Sequence, residues 1–125
     1  MKISTYQLAI LKTIISDFYK KAINDDLIGF HFNHIKDFDK HITKIEYFWI
    51  HVLTTTVSPT LIDHLLTQHK PMPIKMGQLN RWVLLFRETI DFHLENEDAE
   101  RRDLKKNLEH SLSLLVEHFQ KSFFR

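Results

Sequence analysis

Glycine is nearly missing from this chain, and that scarcity restricts its possible folds more than any other feature. Only Gly29 and Gly77 occur in 125 residues, beside three prolines. Tight hairpin turns draw on glycine for backbone conformations that other residues resist, so a sheet of many hairpins is disfavoured. Apolar residues recur at helical spacing instead, which predicts an all-α fold.

The periodicity divides the chain into helical segments. The first runs from about Thr5 to Asn24, with Leu8, Leu11, Ile14, Ile15, Phe18 and Ala22 on one face and Ser4 or Thr5 as its cap. Asp25 and Asp26 end it and can start a short second helix, Leu27 to Asn33. A third segment starts near Asp37 or Asp39 and reaches about Thr55. His41, Ile45, Phe48 and Val52 lie on one line, widened by Ile42, Trp49 and Leu53. Ser58-Pro59 pairs a capping hydroxyl with proline at the first helical position, which predicts a short helix to about Thr67. A fifth segment, about Lys75 to Leu94, carries Leu79, Trp82, Val83, Leu85, Phe86 and Ile90. Asn96 is expected to cap the last helix, about Glu97 to Phe123, with Leu104, Leu108, Leu112, Leu115 and Phe119 on its apolar stripe. No repeat or low-complexity stretch interrupts the chain, so residues 1–125 are read as one domain, large enough to bury roughly 60–70% of its unfolded surface.

Charge and composition narrow the function classes. The 17 basic and 16 acidic side chains give a formal net charge of +1. That near-balance argues against a nucleic-acid groove or an anionic membrane as the main partner. With no cysteine, disulfides, thiolate metal sites and covalent haem attachment through Cys-x-x-Cys-His are absent. The first fifteen residues mix Lys2, Ser4, Gln7 and Lys12 among apolar ones and lack the continuous apolar run of a signal peptide. No run approaches a membrane span. A monomer in the cytoplasm is the expectation.

Nine histidines are the main candidates for chemistry. His69 stands before Pro71 and Pro73, which stop any long helix from running through it. A neutral imidazole held by that stiff turn can offer a ring nitrogen to a metal in an apolar cleft. Taken alone, it reads first as a histidine in a surface loop, since the chain has nine histidines. His41 shares a line with core positions, so it is either a buried histidine bonded to a backbone carbonyl or a polar group at the mouth of an apolar pocket. Trp82 is core packing or, through its indole N–H, a donor inside a cavity. Tyr19 sits at the edge of the core or turns inward as a second donor. Lys44, one turn beyond His41, is solvated or snorkels to an anionic group at the rim. His31 with His34, and His110 with His118, lack the interleaved carboxylates of a bundle metal site. Neither a phosphate-binding glycine loop nor a Gly-x-Ser-x-Gly elbow occurs.

Three blocks carry a family likeness. Phe18-Tyr19 followed by Asp25-Asp26-Leu27-Ile28-Gly29-Phe30-His31-Phe32 is the first. The second is His41-x-x-x-Ile45-x-x-Phe48-Trp49. His69-x-x-Met72-Pro73-Ile74 followed by Arg81-Trp82-x-x-Leu85-Phe86 is the third. In order and spacing the chain resembles the truncated haemoglobins of the third bacterial subgroup. The likeness runs from about Phe18 to Thr89. The glycine pairs usual in the loops of the other subgroups are missing, which favours the third. The chain departs from the family at Phe30, where proline is usual, and this bears on the path of the short second helix and on how Phe32 approaches the cofactor.

The resemblance implies a globin-like two-over-two helical sandwich around one haem b. It assigns His69 as the proximal iron ligand, and Tyr19, His41 and Trp82 to the distal side. Ile45 and Phe48 would lie against the porphyrin with Trp49 behind them, and Lys44 would face a propionate. Phe32, Ile74 and Phe86 complete the implied cofactor contacts. The ligand class implied is O2, NO, CO or a similar small molecule. Nitric oxide dioxygenation or peroxide chemistry would need a reductase that the sequence does not name. The residues alone leave open a non-haem helical interaction module or a histidine metal-binding module. Under the haem assignment, His69→Ala loses or loosens the cofactor while His64→Ala and His93→Ala keep it. The ratio of cofactor to protein after purification checks this, and equal retention in all three variants would remove His69 from the role.

Overall fold

The computed structural model describes residues 1–55, 75–95 and 98–123. Among these the chain is all-helical and contains no strand. Helix α1 spans Thr5–Ile23, a single 3-10 turn spans Gly29–Phe32, α2 spans Phe38–Thr54, α3 spans Met76–Leu94 and α4 spans Ala99–Phe123. The expected short helix from Pro59 to Thr67, and the proline-rich break after it, lie outside the described residues.

Local chemistry explains where three of these helices start. Ser4 Oγ accepts from the Gln7 N–H, and Gln7 Oε1 accepts from the Ser4 N–H, both at 3.0 Å. This reciprocal box satisfies two donors that the first turn of a helix otherwise leaves unpaired. Gln7 then spends its amide N–H on the Glu100 carbonyl at 2.9 Å, tying the start of α1 to the start of α4. Asp37 caps α2 by accepting from the Lys40 N–H at 3.1 Å. Helix α4 starts two residues later than the sequence pattern suggests. Its cap is Asp98 rather than Asn96, because Asp98 Oδ1 accepts from the Glu100 N–H at 2.8 Å. The Asp98 carbonyl takes the Arg102 N–H, and Tyr6 donates its hydroxyl to Asp98 Oδ2. Asn96 and Glu97 themselves lie outside the described residues.

The segment expected as a short helix from Leu27 to Asn33 is tighter and shorter. Asp25 Oδ1 accepts from the N–H groups of Leu27 and Ile28, and the Asp25 carbonyl accepts from Gly29. These bonds bend the chain sharply after α1, leaving room only for the 3-10 turn. The bend also presses Gly29 onto the end of α1. A Cβ there would stand 2.7 Å from the Ile23 carbonyl oxygen.

One core joins the four described helices. Leu11, Ile14, Ile15, Phe18 and Ala22 of α1 have no exposed surface, and neither do Ile90 of α3 or Leu104, Leu108 and Leu112 of α4. α1 packs against each of the other three helices, and α4 against both α2 and α3. Thr89, also fully buried, donates its hydroxyl to the Leu85 carbonyl within α3. Helix α2 is uneven. Trp49, Val52 and Leu53 near its end are buried, while Phe38, Ile42, Ile45 and Phe48 are only half-buried against the core. No described helix is long and apolar enough to cross a membrane.

The contact at Gly29 is with backbone, which cannot swing aside. Gly29→Ala is therefore expected to lower the free energy of unfolding by about 1–3 kcal/mol, as overpacking does. Urea denaturation measures it, and an unchanged midpoint would show that the bend relaxes freely.

Candidate functional site

The half-buried face of α2 opposes aromatic side chains from α1 and α3, and the candidate site is built there. Tyr19 is at its centre. Its ring is 6% exposed and meets four others edge-on. The ring centroids lie 5.1 Å from Phe18, 5.7 Å from Phe32, 6.2 Å from Phe38 and 5.6 Å from His41. Perpendicular contacts of this kind set the electropositive edge of one ring against the face of another. Burial pushes the Tyr19 phenol above its ordinary pKa, because a phenolate has no water there to stabilise it. Tyr19 consequently stays a neutral O–H across the physiological range.

Trp82 approaches from α3. Its ring lies 5.3 Å from Phe18 and stacks on Phe86 at 5.4 Å with an 18° interplanar angle. Phe86, 1% exposed, also stacks on Trp49 at 5.2 Å and 23°. Trp49 in turn meets Phe48 edge-on at 5.7 Å. The residues expected at a distal side thus fall into two contacts. Tyr19 touches His41 directly, and it reaches Trp82 across the shared ring of Phe18.

The remaining site residues are distributed as follows. His41, Ile45, Phe48, Phe32 and Trp82 are half-buried, Trp49 and Phe86 are in the core, and Lys44 is exposed. His69 and Ile74 lie outside the described residues. Phe38 belongs to the wall although the sequence reading left it out. It is three residues before His41, and its ring lies 6.4 Å from that imidazole, a helical spacing that was legible. Phe18 is the bridge between Tyr19 and Trp82, a role that only the packing reveals.

A polar clamp sets the angle of α3. Arg81 Nε and Nη2 reach Asp25 Oδ2 at 2.9 and 2.8 Å. The Asp25 side chain is 7% exposed and that of Arg81 35%. The Arg81 hydrogen bond, helped by the Leu27 and Ile28 N–H groups, holds the Asp25 carboxyl below its ordinary range. Because Trp82 is adjacent to Arg81, and Phe32 follows the turn that Asp25 initiates, the clamp fixes two walls of the site together.

Two further histidines have structural partners. His31 is buried, with its Nε2 3.2 Å from Gln78 Oε1 and its ring 4.0 Å from that of Phe30. His93 Nε2 is 2.5 Å from Asp17 Oδ2. Among the described residues, no group of three or more histidine, cysteine or acidic side chains could hold a metal ion. A surface groove of about 460 Å³ follows Arg102, Lys106, Glu109 and His110. Those residues occupy one face of α4 and none of them lines the aromatic site. No protein-family model, curated protein or solved structure matches this chain.

The clamp has a pH signature. A depressed carboxyl stabilises the fold above the unfolded-chain pKa, and that stability is lost as pH falls through the folded value. Arg81→Met is expected to lower stability at neutral pH, and its difference from the parent chain should shrink on acidification below the ordinary aspartate range. Urea midpoints across a pH series test this, and a gap of constant size would assign the loss to packing instead.

Proposed function

We propose that this chain is a haem b protein of the truncated-globin kind, a two-over-two helical sandwich that binds O2 or a related small ligand. The observation that carries the reading is Tyr19, a buried neutral phenol ringed by aromatic side chains and in contact with an imidazole. Apolar cofactor sites combine such a wall with a few placed polar groups. The half-buried apolar residues of α2 and α3 suit a flat apolar guest, since they are shielded on the core side and incompletely covered on the other. The described residues supply the apolar wall that such a group needs.

Phe32, Ile45, Phe48 and Trp82 would hold the ring system, and exposed Lys44 is free of the core to meet a propionate. His69, which lies outside the described residues, is the proposed iron ligand. When bound, haem supplies an iron with one coordination position open to a diatomic molecule. The chain's own contribution is donation and exclusion. Tyr19 keeps its proton because it is buried, so its O–H is available as a donor in the pocket. His41 is a second polar group beside it, and the Trp82 N–H a third on the α3 side. The rings of Phe32, Phe38 and Phe48 limit water around these donors, which strengthens each hydrogen bond. Turnover in nitric oxide or peroxide chemistry belongs to the same proposal and requires an external reductase. A reducing compartment such as the cytoplasm suits a chain without cysteine.

The visible spectrum tests the proposal. A strong Soret band that shifts with carbon monoxide after reduction is expected, and a colourless protein from cells grown with ample haem would overturn it. Tyr19→Phe and Trp82→Phe should each speed O2 release. Removing one neutral hydrogen bond is worth about 1 kcal/mol, or roughly fivefold in rate. Stopped-flow displacement of O2 by carbon monoxide reads it, and unchanged release in both variants would mean that other groups hold the ligand.

A further inference from the structure

The aromatic contacts form a continuous path with a redox-active ring at each end. Tyr19 is 6% exposed. Its ring touches Phe18 at 5.1 Å, and Phe18 touches Trp82 at 5.3 Å. Trp82 is half-buried and so reaches the edge of the core, and it continues through Phe86 to buried Trp49. Electron exchange between side chains weakens steeply with distance, so rings in van der Waals contact are well coupled. Phenol and indole are the two neutral aromatic side chains that give up one electron most readily.

The geometry points to a one-electron relay in which Tyr19 and Trp82 exchange an oxidising equivalent across Phe18. In solution a tyrosyl radical is the usual resting place, because the phenol loses its proton as it is oxidised. Burial hinders that loss at Tyr19, since the released proton has little water to receive it. The two ends are thereby brought closer in energy, which suits a reversible relay. His41, with its ring 5.6 Å from Tyr19, is the neighbouring base that can take the phenolic proton. The service of such a relay is to carry oxidising equivalents out of the pocket. A peroxide takes two electrons and two protons to become two waters. Two passages through the relay supply the electrons, the protons come from solvent, and a one-electron organic reductant refills Trp82 after each and releases its own proton to solvent. That source of oxidant rests on the haem reading, whereas the relay itself belongs to the chain and is tested without haem.

Pulse radiolysis with the azide radical provides the test, on the full chain as purified. The azide radical removes one electron from an accessible indole and becomes azide ion, while the indole N–H proton goes to water. Trp82 is the target, because Trp49 is 3% exposed. Tyr19 then returns an electron through Phe18 and loses its phenolic proton, the indole regains a proton from water, and a tyrosyl radical is left. The expected signal is a first-order loss of indolyl absorbance, matched by growth of phenoxyl absorbance at a rate independent of protein concentration. This phase should vanish in Tyr19→Phe and Trp82→Phe, which conserve ring volume, and persist in Tyr6→Phe and Tyr47→Phe. A phase that survives Tyr19→Phe, one that requires Tyr6 or Tyr47, or purely bimolecular decay would overturn the relay. A colourless protein showing the Tyr19-dependent phase would overturn the haem reading and leave the relay standing.

Discussion

Phe18 is the hub on which the site depends. It has no exposed surface and touches the rings of Tyr19, Trp82 and Phe86 at 4.9–5.3 Å. Each contact is edge-on, the geometry that aromatic quadrupoles favour. Through this one side chain, the middle of α1 fixes where α3 brings its indole and where the phenol beside it must lie. Replacing it with a smaller residue would open a cavity at the point where two walls of the site meet, and close-packed interiors pass such changes to their neighbours.

The polar contacts complement the hub by fixing ends rather than centres. Asp25 and Arg81 join the turn after α1 to α3. Asp98 joins α4 to Tyr6, whose hydroxyl also accepts from Arg101 Nε at 2.9 Å. Arg101 lies over the Tyr6 ring, 5.7 Å from its centroid, a cation–π contact at a half-exposed site. The partners in these clamps are far apart in sequence. They therefore select one arrangement of helices that the apolar stripes alone would permit in several.

The sequence made the helices legible because each apolar stripe repeats at the period of the element it forms. α1 and α2 begin and end within a residue or two of where spacing and caps place them. Periodicity was silent where a side chain outcompetes its neighbours for backbone donors. Asp98 caps α4 with one oxygen, and its second oxygen receives Tyr6, a residue 92 positions away. Asp25 turns an expected helix into a 3-10 turn by taking two N–H groups with one oxygen. At the site, the line His41, Ile45, Phe48 was readable from spacing, and Phe38 extends it. The union of Tyr19 and Trp82 through Phe18 was not, because it depends on how α1 and α3 cross. His69 carried the strongest expectation and lies in the stretch between α2 and α3.

The uneven burial of α2 has a mechanical consequence. Its last turns are rooted by Trp49, Val52 and Leu53, while its first turns rest on half-covered side chains. A rod fixed at one end bends most easily at the other. The face carrying Phe38, His41 and Ile45 can thus shift at small energetic cost, while the anchored end keeps the hub undisturbed.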